Sequence, residues 1–320
     1  MSIKNTIIYS AKEYVLADNI NPNVFCITGK TISLPLDSGG TLDIPNTMSG
    51  LHKIKSVSIK SCDKAINTIN DYFLSNCFHL SNVDLKGLKN VGSIGKFFIH
   101  SSFKLTSIDL NPLSSVEKIS DGFLSSCHHL KNIDLSPLSN VKSIGDSFLG
   151  CTEIEEIDLS PLSNVEEIGA SFLGANRHLK NIDLKPLSKI KIIPPYFLEG
   201  HNKITELDFR EFKNVEEIGT RFLFNCINLK ELDLSSMTNV KKIGKRFLYK
   251  CNLLTKVNMG SIKADAIEAD NYSFSTDYVS HDVDSLIKGI TIIGDDRDAI
   301  LNKFKYCSEK FNGLSYRKLK

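Results

Sequence analysis

Apolar and polar residues follow one pattern along this chain, and the pattern returns about every 25 residues. A clear copy begins at Leu130, continues through Asp134 and Pro137, and ends at Phe148 and Cys151. A fixed period of this size is typical of solenoids, in which each repeat buries its apolar side against its neighbours. The first apolar residue of successive copies falls at Ile54, Leu80, Leu105, Leu130, Ile154, Leu179, Ile204, Leu229 and Leu254.

Each copy contains the signals of two short extended segments. Residues 133–135 alternate between apolar and polar side chains, which predicts a β-strand with one buried face. Pro137 ends that strand because proline has no N–H to donate. Ile144 indicates a second extended segment, and Gly145 indicates a turn after it. Eight phenylalanines share one later position and predict a stacked aromatic core: Phe73, Phe98, Phe123, Phe148, Phe172, Phe197, Phe222 and Phe247.

The string Leu-x-x-Ile-x-Leu, followed by Val-x-x-Ile-Gly-x-x-Phe and then Cys-x-x-Leu, resembles the BspA-type, or Treponema pallidum-type, leucine-rich repeat. The resemblance covers roughly residues 51–260 and implies a β-rich repeat solenoid. That fold is a leucine-rich-repeat right-handed superhelix with a parallel strand face and irregular caps. Many members of the family are surface proteins that adhere to host or matrix proteins. These copies differ from the family's usual unit in an inserted Ser-Pro-Leu-Ser-Asn segment and in Phe-Leu replacing Ala-Phe.

The pattern also predicts how the chain is divided. Residues 1–50 are expected to form an N-terminal cap, 51–260 a solenoid of about eight units, and 261–320 a C-terminal cap. Strands are expected at Thr31–Leu34 and Thr41–Ile44 in the first cap and at Ile290–Ile293 in the second. Apolar spacing over 296–311 predicts a helix that completes the C-terminal cap.

Aspartate recurs at one position of the predicted strands. These residues, here called the Asp face, are Asp84, Asp109, Asp134, Asp158, Asp183, Asp208 and Asp233. Side chains two residues away point the same way; they add the acids Glu156, Glu206 and Glu231 and the bases Lys86, Lys185, Arg210 and Lys256. Two explanations remain open and are compatible. Each Asp can accept a backbone N–H in an Asx turn, or the face can attract a cationic partner.

The second explanation gives the functional hypothesis, which is a protein partner with a basic surface bound on the Asp face. Asp134, Asp158, Asp183 and Asp208 should matter most because they are central in the series. Nucleic acid is not expected on this face, since its phosphates would be repelled. Crowded carboxylates are expected to have raised pKa values, so that binding is tighter near neutral pH than in mild acid. Calcium is not expected, because it needs six to eight converging oxygens.

A second column of charged residues alternates in sign. Opposite charges on neighbouring strands attract, so this column is interpreted as structural support without a binding role. Its members are Glu117, Lys142, Glu166, Lys191, Glu216 and Lys241.

Cysteine and histidine also follow the period. Cys77, Cys127, Cys151, Cys226 and Cys251 share one position, which predicts structural thiols and not disulfides. Ser102, Asn176 and His201 occupy that position in other copies. His79, His129 and His178 share another position on alternate copies, too far apart for one metal ion and more typical of solvated turns. No metal, cofactor or catalytic arrangement is predicted, because the repeat explains every candidate residue.

Composition narrows the function classes. The chain has 320 residues with a net charge of +2, so no global attraction to nucleic acid or membrane is expected. No apolar stretch is long enough to predict a membrane span, and Lys12 and Glu13 interrupt the first apolar residues. A cytoplasmic location, or export without a classical signal peptide, is expected. An adaptor or microbial effector is the main hypothesis; the alternatives are a catalytic segment near 261–320 and a surface adhesin or structural component.

Overall fold

The structure is a computed structural model that describes residues 55, 68–69, 71–86, 88, 90–268, 273 and 290–303, together with the backbone of the strands at 6–9, 12–15, 24–27, 41–42 and 56–59. The fold is a parallel-strand β-solenoid of about eight turns with little helix. It divides into two compact units, Met1–Asn164 and Val165–Lys320. The predicted boundaries of the two caps stay predictions.

The first unit contains one antiparallel pair and two parallel sheets. The pair is formed by β1 (Thr6–Tyr9) and β2 (Lys12–Val15). One parallel sheet has the order β3 (Val24–Ile27), β5 (Ser56–Ile59) and β7 (Asn82–Asp84). The other contains, in order, β4 (Thr41–Leu42), β6 (Thr68–Ile69), β8 (Ser93–Ile94), β9 (Lys118–Ile119) and β10 (Ser143–Ile144). Equivalent residues of successive repeats are paired, so that Ile119 faces Ile144.

The second unit continues the same scheme. It begins with β11 (Glu167–Ile168) and contains a parallel sheet of β12 (Ile192–Ile193), β13 (Glu217–Ile218) and β15 (Lys242–Ile243). A second parallel sheet is formed by β14 (Glu231–Asp233), β16 (Lys256–Asn258) and β17 (Thr291–Ile293). Residues 297–303 are helical.

Three of the four elements predicted for the caps fall at least partly on described residues. The strand predicted at Ile290–Ile293 is confirmed as β17, and the first part of that at Thr41–Ile44 is confirmed as β4. Residues 297–303 confirm the start of the predicted helix, and the rest of it lies outside the described residues, as does Thr31–Leu34.

The prediction of a β-strand over 133–135 is wrong, because these residues do not pair with a neighbouring strand. These residues keep the expected alternation, with Asp134 exposed and Leu135 buried, but they belong to no strand. A 3-10 turn follows directly at Ser136–Leu138, and its second residue is Pro137. Proline fixes φ near the value of this turn, which competes with strand pairing. Regular strands at this position occur at β7, β14 and β16.

The predicted phenylalanine core is confirmed within each unit. In the first unit, ring centroids of Phe73, Phe98, Phe123 and Phe148 follow one another at 5.4, 5.3 and 5.5 Å. In the second unit, Phe172, Phe197, Phe222 and Phe247 follow at 6.1, 6.3 and 5.6 Å. All eight rings are fully buried. Stacking of one aromatic per repeat therefore forms the centre of the core.

The backbone around each phenylalanine has an unusual conformation. Ser147, Leu149 and Cys151 have φ values of 55°, 51° and 56°. These values lie in the left-handed region of the backbone, which residues other than glycine rarely adopt. Hydrogen bonds to the adjacent repeat hold this conformation; the Leu149 N–H donates to the Phe123 carbonyl at 2.9 Å. Gly145 is not in this left-handed region. Its role is close approach, because a Cβ there would lie 2.6 Å from the Asp121 nitrogen. The turn expected after the second strand is present directly after this glycine, at residues 146–150.

Candidate functional site

Every aspartate of the Asp face accepts a hydrogen bond from the backbone N–H two residues later. The distances run from 2.8 Å at Asp158 and Asp233 to 3.0 Å at Asp84, and Asn258 extends the series at 3.1 Å. This is the Asx-turn geometry, in which a side-chain oxygen satisfies a backbone donor where the chain bends. The local explanation for the aspartates is therefore confirmed, and their role in binding stays a prediction.

The carboxylates nevertheless face solvent. Six of the seven are exposed and Asp84 is half-buried, and the predicted acidic neighbours Glu156, Glu206 and Glu231 are exposed as well. The buried residues Leu135, Leu159 and Leu184 directly follow three of the aspartates and anchor this part of the backbone to the core. Each of these repeats thus presents one carboxylate to solvent, directly before a leucine that is buried in the core.

The expected rise in pKa along the Asp face is wrong at four positions. Hydrogen bonds from the Ser136 hydroxyl and then from its N–H lower the pKa of Asp134 below its usual value. The N–H and hydroxyl of Ser160 do the same for Asp158, where repulsion from Asp134 acts in the opposite direction as the weakest influence. Direct hydrogen bonds to the charged form outweigh repulsion across solvent.

Two further aspartates have lowered pKa values for partly different reasons. Hydrogen bonds from the Arg210 side chain and backbone, in that order, lower the pKa of Asp208. Partial burial is the largest influence on Asp233 and would raise its pKa, but hydrogen bonds from Ser235 and Asn258 and the charge of Lys256 together lower it. All four carboxylates therefore stay charged in mild acid.

Charges on the Asp face of the second unit and its acidic neighbours are compensated in part, by two ion pairs. Arg210 forms a fork on Asp208, with Nη2 at 2.6 Å and Nε at 3.0 Å from Oδ2. Lys256 pairs with Glu231 at 3.0 Å across the β14–β16 sheet. The sequence placed Arg210 and Lys256 on this face, but it did not reveal these pairings.

The Asp face of the first unit has no such compensation at its centre. Asp109 bonds to Asn111, Asp134 to Ser136, and Asp158 to Ser160, all of which are neutral donors. Among the residues that the structure describes, none of these aspartates forms an ion pair, and neither does Glu156. The concentration of uncompensated negative charge therefore lies at Asp109, Asp134, Glu156 and Asp158.

The alternating column of glutamates and lysines forms ion pairs between adjacent repeats at two places, and the support predicted for it is confirmed only there. Glu166 makes no ion pair among the described residues. Lys142 pairs with Glu117 at 2.8 Å, and Lys241 pairs with Glu216 at 2.7 Å. A parallel pair joins Lys242 to Glu217 at 2.7 Å. These pairs are exposed, so each contributes little to stability.

The shared cysteine position is structural, as predicted. None of these five cysteines forms a disulfide; Cys77, Cys127, Cys226 and Cys251 are buried, and Cys151 is exposed. Burial raises the pKa of Cys77, Cys127 and Cys226 to about 12, so these thiols stay protonated. The Cys127 thiol donates to the Ile99 carbonyl of the preceding repeat at 3.3 Å, whereas the Asn176 amide donates to the Leu173 carbonyl of its own repeat at 3.0 Å. At Cys127 and Asn176 the position thus supplies a buried donor for a backbone carbonyl, whereas the buried Ser102 hydroxyl at the same position has no hydrogen-bond partner among the described residues.

The histidines predicted on solvated turns are exposed. His79, His129 and His178 all face solvent, and His129 lies 3.7 Å from Glu153. In the described ranges, no three His, Cys, Asp or Glu side chains are grouped so that they could hold a metal ion. No helix of the described part of the chain is both long enough and apolar enough to cross a membrane.

The repeats of this chain match those of a known protein family. The model of the BspA type leucine-rich repeat region matches residues 43–176 and 147–279, with six copies. The chain belongs to the BspA-type leucine-rich repeat family. Its resemblance to that family is thus confirmed, together with the repeat solenoid that it implies. Among curated proteins, none matches this BspA-type chain.

Solved structures of other leucine-rich repeat proteins are similar to the chain. One from Bacteroides ovatus is 16% identical, with a TM-score of 0.44, covering 92% of this chain and 78% of that one. The functional domain of InlJ from Listeria monocytogenes is 12% identical, with a TM-score of 0.36, covering 74% and 60%. A leucine-rich cell surface protein from Faecalibacterium prausnitzii is 14% identical, with a TM-score of 0.34, covering 94% and 88%.

Proposed function

We propose that this protein is a binding module without catalytic activity of its own, and that the Asp face of its first unit contacts a protein partner with a basic surface. The observation that carries the proposal is the uncompensated charge of Asp109, Asp134, Glu156 and Asp158. Opposite charges across an interface speed encounter and select the partner more than they add raw affinity. A surface rich in lysine and arginine is the chemical complement of this patch.

The geometry of the turns favours binding further. Both hydrogen bonds that Ser136 donates reach Oδ1 of Asp134, so Oδ2 points away from the turn bond. A carboxylate already fixed by its backbone loses little conformational freedom when a partner binds, which lowers the entropic cost of association. Asp158, one turn further along, is fixed at both oxygens, because the Ser160 N–H donates to Oδ1 at 2.8 Å and the Ser160 hydroxyl donates to Oδ2 at 2.9 Å.

The test is a comparison of captured proteins with and without the two central charges. Asp134→Asn and Asp158→Asn, made together, remove the charge but keep an oxygen that can accept the turn hydrogen bond, as Asn258 does. Immobilised parent and double variant are exposed to lysate of the native source at two salt concentrations, and bound proteins are quantified by mass spectrometry. We expect the parent to retain basic proteins that the double variant loses, and expect this retention to fall at high salt.

The matched control is Glu117→Gln with Glu153→Gln, which removes two exposed or half-buried acids of the same unit outside the Asp face. It should capture the same proteins as the parent. Equal losses in control and test variants would show that only net charge matters, and identical capture by all three proteins would refute the Asp face as the binding surface. Thermal melts of the three proteins establish that each is folded.

A further inference from the structure

The hydrogen-bonded ladder of the second unit is interrupted beside β12. In the following repeats, the N–H after the strand donates to the preceding repeat; Gly219 donates to Ile193 and Gly244 to Ile218, each at 2.8 Å. Pro194 occupies this position after β12 and has no N–H to donate. The carbonyl of Ile168 in β11 therefore lacks the bond that its counterparts receive from this position, and β12 is paired on one side with β13.

A groove of about 630 Å³ lies at this interruption, and we call it the Ile192 groove. Ile192 is 54% exposed, although the equivalent residues of the next repeats are the charged Glu217 and Lys242. Ile168 is half-buried, whereas Ile218 is fully buried. The lining residues are Glu166, Glu167, Ile168, Lys189, Lys191, Ile192 and Asn214.

The charges of the groove are arranged by repeat. Two carboxylates, Glu166 and Glu167, lie on one repeat, and two ammonium groups, Lys189 and Lys191, lie on the next. Glu166 and Glu167 make no ion pair among the described residues. Lys191 lowers the pKa of Glu216, but after a hydrogen bond and charge from Lys241, which forms the ion pair with that residue. Acidic and basic side chains thus lie side by side on neighbouring repeats.

We propose that the Ile192 groove is a self-association surface that takes the same groove of a second copy of this chain. A two-fold axis requires a patch that is complementary to itself. With the axis between β11 and β12, the acidic repeat of each copy faces the basic repeat of the other. Ile192 of each copy then enters beside Ile168 of the other and leaves solvent. The surface is separate from the Asp face, so the proposal is independent of the proposed function.

Sedimentation velocity of the full chain over a range of concentrations, up to on the order of 100 µM because the patch is small, tests this proposal. The parent mass should rise from 35.7 kDa toward a dimer. Lys189→Glu with Lys191→Glu should weaken association at least about tenfold, because four like charges then face four. Glu166→Lys with Glu167→Lys should do the same. An equimolar mixture of these two variants should restore the dimer as a heterodimer.

Two further variants separate charge from apolar contact. Ile192→Ser introduces the residue found at the equivalent Ser143 and should weaken association, while Leu253→Ser, at an apolar residue 51% exposed elsewhere, should leave it unchanged. A parent that stays monomeric at every concentration overturns the proposal. The proposal is also overturned if either charge-reversed variant dimerises as strongly as the parent. The same holds if the equimolar mixture of the two reversed variants stays monomeric.

Discussion

The imidazole of His201 and the thiol of Cys226 contact the same backbone oxygen, the carbonyl of Leu198. Nδ1 of His201 lies 2.8 Å from it, and Sγ of Cys226 donates to it at 3.2 Å. The two residues occupy the same position of adjacent repeats, and both are fully buried. At this position of the repeat, His201 is therefore an imidazole that can be protonated, where the other repeats have neutral side chains. Its Nε2 has no hydrogen-bond partner within the described residues.

The stability of the protein should fall in acid because of His201. Burial lowers the pKa of His201 from 6.5 to about 4, although hydrogen bonds to Leu198 and Glu199 act in the opposite direction. As pH falls below 6.5, the unfolded state binds a proton that the folded state does not take until about pH 4. Stability is full above pH 6.5 and declines by about 1.4 kcal/mol per pH unit below it. Denaturant unfolding at pH 7 and pH 5 measures a loss of about 2 kcal/mol from this group.

His201→Asn is the matched control, because Asn176 fills the equivalent position with a neutral donor. The absolute stability of this variant differs from that of the parent, so the slope with pH is compared. The variant should lose about 2 kcal/mol less between pH 7 and pH 5, since all other titrating groups are shared. Parallel slopes would show that His201 is not buried as a neutral ring.

Thiol chemistry should distinguish Cys151 from its counterparts. The exposed Cys151 should react with a thiol reagent in the folded protein, whereas Cys127 and Cys226 should react only after unfolding. Their pKa values are raised to about 12, so burial and protonation both suppress the reactive thiolate. Peptide-level mass spectrometry after timed labelling measures each site, and complete labelling in denaturant is the control. Equal rates at Cys127 and Cys151 would contradict the stacked core.

The repeat made much of this fold predictable. Residues one period apart become neighbours in space, so the period alone predicts that Phe98 lies beside Phe123 and Lys142 beside Glu117, as the structure shows. The period does not specify backbone conformation. Leu149 adopts a left-handed φ of 51° because the hydrogen bond that its N–H donates to the adjacent repeat outweighs its local preference.

The residues of the candidate site could be predicted from the sequence, but the pKa values of its aspartates could not. The period predicts that the aspartates share one solvent-facing surface. It does not show that hydrogen bonds from Ser136 and Ser160 affect the pKa values of Asp134 and Asp158 more than repulsion between the carboxylates does. The Ile192 groove was missed, although a signal was present: Pro194 replaces the usual glycine, and an isoleucine stands where other copies are polar. Positions at which a copy differs from the repeat pattern therefore indicate where the hydrogen bonds between adjacent repeats are interrupted.

Removal of one core ring should destabilise the first unit strongly. Phe123 stacks between Phe98 and Phe148 at 5.3 and 5.5 Å, with rings 7° and 10° from parallel. Phe123→Ala leaves a cavity between two rings and should cost about 3–5 kcal/mol in the free energy of unfolding. Phe123→Leu keeps most of the volume and should cost less. Unfolding in urea measures both, and an alanine variant as stable as the parent would be incompatible with the stacked core.

Substitutions at Asp134 separate the turn from the charge. Asp134→Ala removes the acceptor of the Ser136 N–H, so the turn before Pro137 loses its side-chain bond and the melting temperature should fall slightly. Asp134→Asn keeps an acceptor oxygen, as Asn258 shows, and should melt close to the parent. If both variants melt alike, the hydrogen bond contributes nothing measurable. If asparagine is instead more stable than aspartate, relief of repulsion from Asp158 outweighs the charge-assisted bond, and the turn geometry does not explain why aspartate recurs at this position.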